Sequence, residues 1–209
     1  MRWLVEINNG LGVSGITAIL AGLLVFSGFI VYHCINIRSE KPGLWHHVIA
    51  ALIPLLTGTA YLSIVLGTGT LELSNGRIYH IARWVDACIV SPLILFNIVL
   101  LLGESGKKLA HLITFLLLTN LLTMVGGLFA GLQTEPLISW IWYGYGSLAY
   151  LASIWLLLKA IPSAAKRISV SEMRVKTYRR YALFYVGISL AFPVIWLFTP
   201  AALGQLSLN

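Results

Sequence analysis

The sequence predicts an all-α fold, a polytopic bundle of transmembrane helices, for three reasons. Hydrophobic residues occupy 58% of the 209 positions, and charged residues occupy only 10%. The mean hydropathy is +0.88. A helix needs about 20 mostly apolar residues to cross the hydrocarbon layer of a bilayer, and six apolar runs of about that length occur between polar connections. This composition excludes an ordinary soluble domain.

The six apolar runs define the predicted membrane spans. The first follows Arg2 and partly matches a secretory signal, but it is long enough to cross the bilayer and is interpreted as a span. The connections are short except for residues 162–180, so residues 1–209 are predicted to form a single transmembrane domain. The predicted helices are 13–35, 44–66, 78–102, 109–132, 137–161 and 181–203.

Basic residues are sorted between the two sides of the predicted bundle. One side holds only Arg2 and Arg77, whereas most of the others lie in or beside the first, third and fifth connections. By the positive-inside rule those connections are cytoplasmic and the N-terminus is outside. Topology therefore explains the net charge of +7 without a nucleic-acid partner. The basic residues of these connections are Arg38, Lys41, Lys107, Lys108, Lys159, Lys166, Arg167, Arg174, Lys176, Arg179 and Arg180.

One acidic residue, Asp86, lies inside a predicted span. An ionisable residue at membrane depth is a functional hypothesis by default, because its burial is costly. Helical spacing puts Arg83 on the same face, so the two side chains can interact directly or through water. A structural ion pair that fixes helix packing is the alternative. The other acidic residues are assigned to loops or termini: Glu6, Glu40, Glu72, Glu104, Glu135 and Glu172.

Histidine and cysteine patterns do not favour metal binding or hydrolysis. Cys34 and Cys88 fall in apolar runs without CxxC spacing and are interpreted as buried, inert thiols. HExxH, GxSxG, P-loop and paired-carboxylate motifs do not occur, so neither a metal site nor an enzyme is predicted. The Gly126-Gly127 pair is interpreted as a point of close approach for a helix or ligand. The histidines are scattered, mostly near predicted membrane boundaries: His33, His46, His47, His80 and His111.

Three sequence blocks, in order along the chain, carry a family resemblance. Residues 76–86 (GRIYHIARWVD), followed by 90–95 (VSPLIL), resemble the third helix of microbial retinal rhodopsins, especially the sensory-rhodopsin and xenorhodopsin branch. Residues 54–61 (PLLTGTAY) resemble the second helix, and 192–196 (FPVIW) resemble the sixth. The resemblance covers essentially the whole chain and implies a rhodopsin-like bundle, with six helices present of an expected seven. Further matches are Gly127, Trp142 and Tyr143.

The resemblance implies that the chain binds retinal and responds to light. Asp86 would be the counter-ion and proton acceptor of a protonated retinal Schiff base, with support from Arg83 and Tyr61. A buried cation needs a nearby anion, and proton transfer between them neutralises both. For each aromatic residue taken singly, ordinary bundle packing is the alternative. The residues implied to line the retinal pocket are Trp84, Ala87, Val90, Ser91, Gly127, Tyr143, Gly146, Ser147, Tyr150, Ser189, Phe192, Pro193 and Trp196.

Several positions depart from the family pattern. Ala87 and Ser189 stand where aromatic plates normally enclose retinal, so a roomier pocket is expected. Val90 replaces a residue that commonly carries a hydroxyl. Asn97 occupies the position of the carboxylic proton donor of outward pumps, and an amide cannot supply that proton. Sensing or inward transport is therefore favoured over outward pumping.

The family's retinal-binding lysine is expected on a seventh helix after Asn209. The lysines present fall in or beside predicted cytoplasmic connections. Residues 203–209 resemble a connection into another element, which favours a retinal photoreceptor or light-driven proton transporter. The alternative is a rhodopsin scaffold without covalent retinal, acting as an apolar-ligand binder or assembly component. Expected partners are the lipid bilayer, further copies of the chain and a cytoplasmic transducer at the basic fifth connection.

Overall fold

The computed structural model describes residues 2–36, 44–103 and 108–197, which are helical apart from short connections and one β-hairpin. The elements in chain order are α1 (Arg2–Asn36), α2 (Leu44–Val65), β1 (Leu71–Glu72), β2 (Ile78–Tyr79), α3 (Ile81–Leu100), α4 (Ala110–Leu132), α5 (Pro136–Trp155), a π-helical turn (Leu156–Ala160), α6 (Ile161–Arg167), α7 (Glu172–Ser189) and α8 (Ala191–Leu197). The predicted all-α fold class is confirmed.

Five stretches of the described chain are long and apolar enough to cross a membrane: Thr17–Asn36, Leu44–Val65, Ile81–Leu100, Ala110–Leu132 and Pro136–Arg167. They correspond to the first five predicted spans. The last of them runs without interruption through α5, the π-helical turn and α6. The chain is therefore a multi-pass membrane protein.

The largest difference from the predicted helices concerns residues 162–180, which were expected to form a connection. The chain stays helical to Arg167 and re-enters a helix at Glu172. The Ser171 hydroxyl caps α7 by accepting a hydrogen bond from the Arg174 backbone N–H at 3.4 Å. A search for apolar runs detects only the part of a helix that is apolar, and these helix ends are basic. Residues 198–203 of the predicted sixth span lie outside the described residues.

The third helix begins at Ile81 and not at Ile78, because the chain between α2 and α3 forms a hairpin. Leu71 pairs with Tyr79 and Glu72 pairs with Ile78 in antiparallel register. Gly76, with φ of 76°, occupies the turn. The Ser63 carbonyl accepts hydrogen bonds from the Thr68 and Gly69 N–H groups at 3.0 Å, and Gly69 O accepts from Ala82 N at 3.1 Å. These bonds tie the segment before the hairpin to the end of α2 and the start of α3.

Two compact units make up the chain, Met1–Ile94 and Leu95–Asn209. In the first unit, Gly58 of α2 allows α1 to approach, because a Cβ atom there would lie 3.3 Å from Leu23 Cδ2. In the second, a Cβ atom on Gly126 of α4 would lie 2.7 Å from the Gly146 Cα of α5. The expected close approach of a helix is thus confirmed at Gly126.

The π-helical turn leaves the Leu157 carbonyl without a backbone donor, and a side chain of α7 donates to this carbonyl instead. The Ile161 N–H donates to Leu156 O, and Pro162, the next residue, has no N–H to donate to Leu157 O. The phenol of Tyr178 instead donates to Leu157 O at 2.9 Å. Tyr178 is 0% exposed, and burial raises the pKa of its phenol above the usual 10.0. The phenol therefore remains protonated and continues to donate.

Tyr178→Phe is expected to lower the free energy of unfolding by about 1 to 2 kcal/mol, because it leaves the buried Leu157 carbonyl without its donor. The measurement is detergent-induced or thermal unfolding of the purified protein. Tyr181→Phe is the matched control, since Tyr181 lies on the same helix and is 52% exposed. Equal stability of the two variants would contradict a structural role for this hydrogen bond.

Candidate functional site

Asp86 lies half-buried on α3 and accepts a hydrogen bond from a neighbouring helix. The Thr57 hydroxyl of α2 donates to Asp86 Oδ1 at 3.3 Å. Hydrogen bonds to an ionised carboxylate are stronger than those between neutral groups. Thr57 was not singled out from the sequence, although it lies in the 54–61 block one helical turn before Tyr61. That i, i+4 spacing is the signal that could have identified it.

Arg83 lies one turn before Asp86 on α3, and its side chain is exposed. Burial has the largest influence on the pKa values of Tyr79 and His80 at the start of the helix, and the Arg83 charge has a smaller influence on both. Arg83 therefore belongs to a group of polar side chains at this end of α3, while Asp86 lies one turn deeper. Interaction between Arg83 and Asp86 stays a prediction, as does support of this pair by the half-buried Tyr61.

His80 precedes α3 and is partly buried beside Arg83. Burial, and then the Arg83 charge, lower the pKa of His80 below its usual value of 6.5. Within the described chain, its Nδ1 atom is buried without a hydrogen-bond partner. The folded protein therefore favours the neutral imidazole at this position.

Stability is expected to fall as the pH drops below about 6.5, because the unfolded chain then binds a proton at His80 that the folded protein binds more weakly. Above that pH both states are neutral at this residue and the contribution is constant. His80→Gln should reduce this dependence, as measured from unfolding midpoints between about pH 7 and 5. His111→Gln, at an exposed histidine, is the control. An unchanged pH slope in His80→Gln would contradict the assignment.

In the second unit, aromatic side chains from α5 and α8 form a cluster. The rings of Tyr143 and Trp196 stack with centroids 4.2 Å apart and an angle of 12° between their planes. Trp140 meets both rings edge-on, with centroid distances of 5.6 and 5.4 Å. The Tyr143 hydroxyl donates to Pro193 O at 3.3 Å. The sequence comparison missed Trp140, whose position three residues before Tyr143 puts both on one helical face.

A hydroxyl pair joins α5 to α7 in the same unit. Tyr150 Oη and Ser189 Oγ lie 2.8 Å apart, and their residues are 8% and 6% exposed. Ser189 also donates to Val186 O at 3.2 Å. The phenol of Tyr150 thus forms a hydrogen bond with Ser189, which is predicted to replace an aromatic residue of the family. A roomier pocket at this position stays a prediction.

The other predicted pocket residues differ in burial. Val90 and Ser91 are buried on α3, and Gly146 is buried where α5 meets Gly126 of α4. Phe192 is 45% exposed. The half-buried members of the predicted set are Trp84, Ala87, Gly127, Tyr143, Ser147 and Pro193, together with Asn97 at the predicted proton-donor position.

Comparison with known proteins decides the family. The sequence matches the family model described as bacteriorhodopsin-like protein over residues 10–209. It is also 30% identical over 190 residues to sensory rhodopsin-2 of Haloarcula vallismortis, covering 91% of this chain and 77% of that protein. The chain belongs to the bacteriorhodopsin-like family. The resemblance inferred from the three sequence blocks is confirmed.

Other rhodopsins, both curated sequences and solved structures, are similar to this bacteriorhodopsin-like chain. Archaerhodopsin-2 of a Halobacterium species is 27% identical over 175 residues, which cover 82% of this chain and 65% of that protein. Among solved structures, the thermophilic rhodopsin of Rubrobacter xylanophilus matches with a TM-score of 0.82 and 21% identity, over 90% of this chain and 81% of that one. The light-driven proton pump of Coccomyxa subellipsoidea matches with a TM-score of 0.81 and 19% identity, over 91% and 84%. These structures confirm the rhodopsin fold.

Retinal is the chromophore of this family, and the described residues fit its chemistry. Asp86 offers an anion at membrane depth, and the cluster of Trp140, Tyr143 and Trp196 offers flat apolar surfaces for a conjugated chain. The described lysines are exposed: Lys108, Lys159, Lys166 and Lys176. Lys41 and Lys107 lie outside the described residues. Covalent attachment of retinal to a lysine stays a prediction.

Proposed function

We propose that this chain is a retinal-binding, light-responsive membrane protein in which Asp86 is the counter-ion and proton acceptor. The observation that carries the proposal is the half-buried carboxylate on the membrane-spanning helix α3, held by the Thr57 hydroxyl of α2. An ionisable group at this depth is costly unless an opposite charge or hydrogen bonds compensate it. A bound cation beside Asp86 would give this residue a chemical role.

Bound retinal supplies light absorption, a change of shape and a protonated nitrogen. The Asp86 carboxylate would balance a positive charge held beside it and would accept a proton on a carboxylate oxygen, which makes Asp86 neutral in apolar surroundings. Thr57 orients the carboxylate by donating to Oδ1. Arg83 and Tyr61 organise the polar groups beside it. Within the second unit, the stacked rings of Tyr143 and Trp196 offer a flat apolar surface.

The proposed activity is sensing or inward proton transport, in preference to outward pumping. Asn97 offers an amide that cannot reload a proton from the cytoplasmic side, and Val90 offers no hydroxyl to relay one. The proposed topology has the N-terminus outside and the basic connections in the cytoplasm. Oligomerisation, and docking of a cytoplasmic transducer on the basic ends of α6 and α7, belong to the same proposal.

The test is reconstitution of the full-length protein with all-trans retinal. We expect a visible band that is red-shifted from free retinal and is bleached by hydroxylamine. A protein that gives no such band would refute the proposal, and an unshifted, extractable retinal would favour a scaffold that binds an apolar ligand without a covalent bond. In illuminated vesicles of known orientation, an alkaline shift on the extracellular face indicates inward transport and no shift indicates sensing. An acid shift there would contradict the role given to Asn97.

A further inference from the structure

Two histidines that are distant in sequence meet where α1 ends and α2 begins. His33 Nδ1 lies 3.0 Å from His47 Nδ1, and the ring centroids are 5.3 Å apart. Both side chains are half-buried. The sequence interpretation of scattered histidines did not predict this contact. The interpretation missed the pair because antiparallel helices bring together residues whose spacing follows no local motif.

The two facing nitrogens determine the protonation of the neutral pair. One imidazole must carry its proton on Nδ1 and donate, while the other carries its proton on Nε2 and accepts at Nδ1. If the donor ring moves its proton to Nε2, both Nδ1 atoms present a lone pair to the space between the rings. The neutral pair can then bind a cation without releasing a proton.

The separation of the two nitrogens suits a shared metal ion. Zinc binds histidine nitrogen at about 2.0–2.1 Å in a tetrahedral arrangement, which puts two such nitrogens about 3.3–3.4 Å apart. The two nitrogens, 3.0 Å apart, must separate by about 0.3–0.4 Å, and the rings must turn so that both lone pairs converge on the ion. Imidazole ligands suit zinc, copper and nickel, whereas magnesium and calcium prefer oxygen.

The surroundings position the His33 ring and leave the pair accessible. Tyr32 meets His33 edge-on with a centroid distance of 5.1 Å. Partial exposure at the helix ends lets an aqueous ion reach the nitrogens. The described residues contain no group of three or more potential ligands. Among the described residues the pair supplies two imidazole ligands, and water would fill open positions of the coordination shell.

We propose that His33 and His47 form a binding site for one borderline divalent transition-metal ion, Zn²⁺ or Cu²⁺. The bound ion replaces the hydrogen bond between the rings and clamps the end of α1 to the start of α2. This site uses no residue of the proposed retinal site, so it stands whether or not the protein binds retinal.

The first test is a Zn²⁺ titration of the purified full-length protein, followed by calorimetry and thermal unfolding. We expect one ion per chain and a Tm that rises with Zn²⁺ concentration until the site saturates. His33→Gln and His47→Gln should each weaken binding by at least about tenfold, since loss of a mere outer-shell partner costs about 10- to 100-fold. Affinity should rise between about pH 5.5 and 7.5, because only neutral imidazole binds the ion.

His111→Gln is the matched control, because His111 is an exposed histidine at the start of α4. It should bind Zn²⁺ like the native protein. Electron paramagnetic resonance with Cu²⁺ gives a readout that does not depend on stability: two coupled imidazole nitrogens in the native protein and one in either pair variant. Native affinity in His33→Gln, an equal loss in His111→Gln, or an equal Tm rise with Mg²⁺ would each overturn the proposal.

Discussion

Asp86→Asn is expected to abolish light-driven proton transfer to residue 86 in the retinal-bound protein and to shift its visible band to longer wavelength. The amide has nearly the same shape as the carboxylate but carries no charge and does not accept a proton at neutral pH. Without an anion beside it, the chromophore's positive charge spreads further along the conjugated chain, which narrows the excitation gap. Light-minus-dark infrared spectra should lose the band of the protonated carboxylic acid completely.

Two further variants distinguish the effect of the Asp86 carboxylate from the effect of its hydrogen-bond donor. Asp86→Glu keeps the ionisable group and should retain both proton transfer and a counter-ion. Thr57→Val removes the donor to Oδ1 and should change the carboxyl vibration without abolishing the transfer. If Asp86→Asn leaves the visible band and the carboxylic-acid signal unchanged, the counter-ion lies at another residue and the role proposed for Asp86 is wrong.

The hydropathy of the sequence was enough to predict the helices that are apolar over their whole length. The predicted second and fourth helices, 44–66 and 109–132, differ from Leu44–Val65 and Ala110–Leu132 by a residue at one end. A long apolar run reflects the thickness of the bilayer, so length and composition are enough to find it. Asp86 could be found in the same way, because a single acid in such a run is conspicuous.

The helix ends near residues 162–180 could not be found by that criterion. Basic residues there lower the hydropathy but are compatible with a helix, since Lys and Arg have good helix propensity. Ser171 followed by Glu172 is a helix-start signal that could have placed α7. Pro162 has no N–H, so the sequence could indicate that a carbonyl one turn earlier needs another donor. That Tyr178 is this donor depends on how α7 packs.

Contacts between helices are the part that one sequence could not supply. The Thr57–Asp86 hydrogen bond joins residues 29 positions apart, and the His33–His47 pair joins residues 14 positions apart. Both contacts depend on how each helix is rotated about its axis and on how closely neighbouring helices approach. Gly58 allows such a close approach of α1 to α2. The family resemblance pointed to the 54–61 block but did not assign a partner to Thr57.

Gly126→Ala is expected to lower the free energy of unfolding by about 3 kcal/mol, near the upper end of the usual cost of overpacking. The added Cβ atom would lie 2.7 Å from Gly146 Cα and 3.0 Å from Gly146 N. These are backbone atoms of α5, which cannot rotate away as a side chain can. Helices α4 and α5 must therefore separate, and the dispersion contacts that hold helices together in a membrane are lost.

Gly144→Ala is the control for this substitution, because it lies on α5 with no atom within 4 Å of an added Cβ. Replacing a helical glycine by alanine in open space normally stabilises a helix by about 0.5–1 kcal/mol, so the two substitutions should change stability in opposite directions. Gly146→Ala should fall between them, since its Cβ would lie 3.2 Å from Thr123 O and 3.4 Å from Gly126 Cα. Detergent-induced unfolding of the three variants measures this order. If Gly126→Ala proves as stable as Gly144→Ala, α4 and α5 do not cross at this glycine pair.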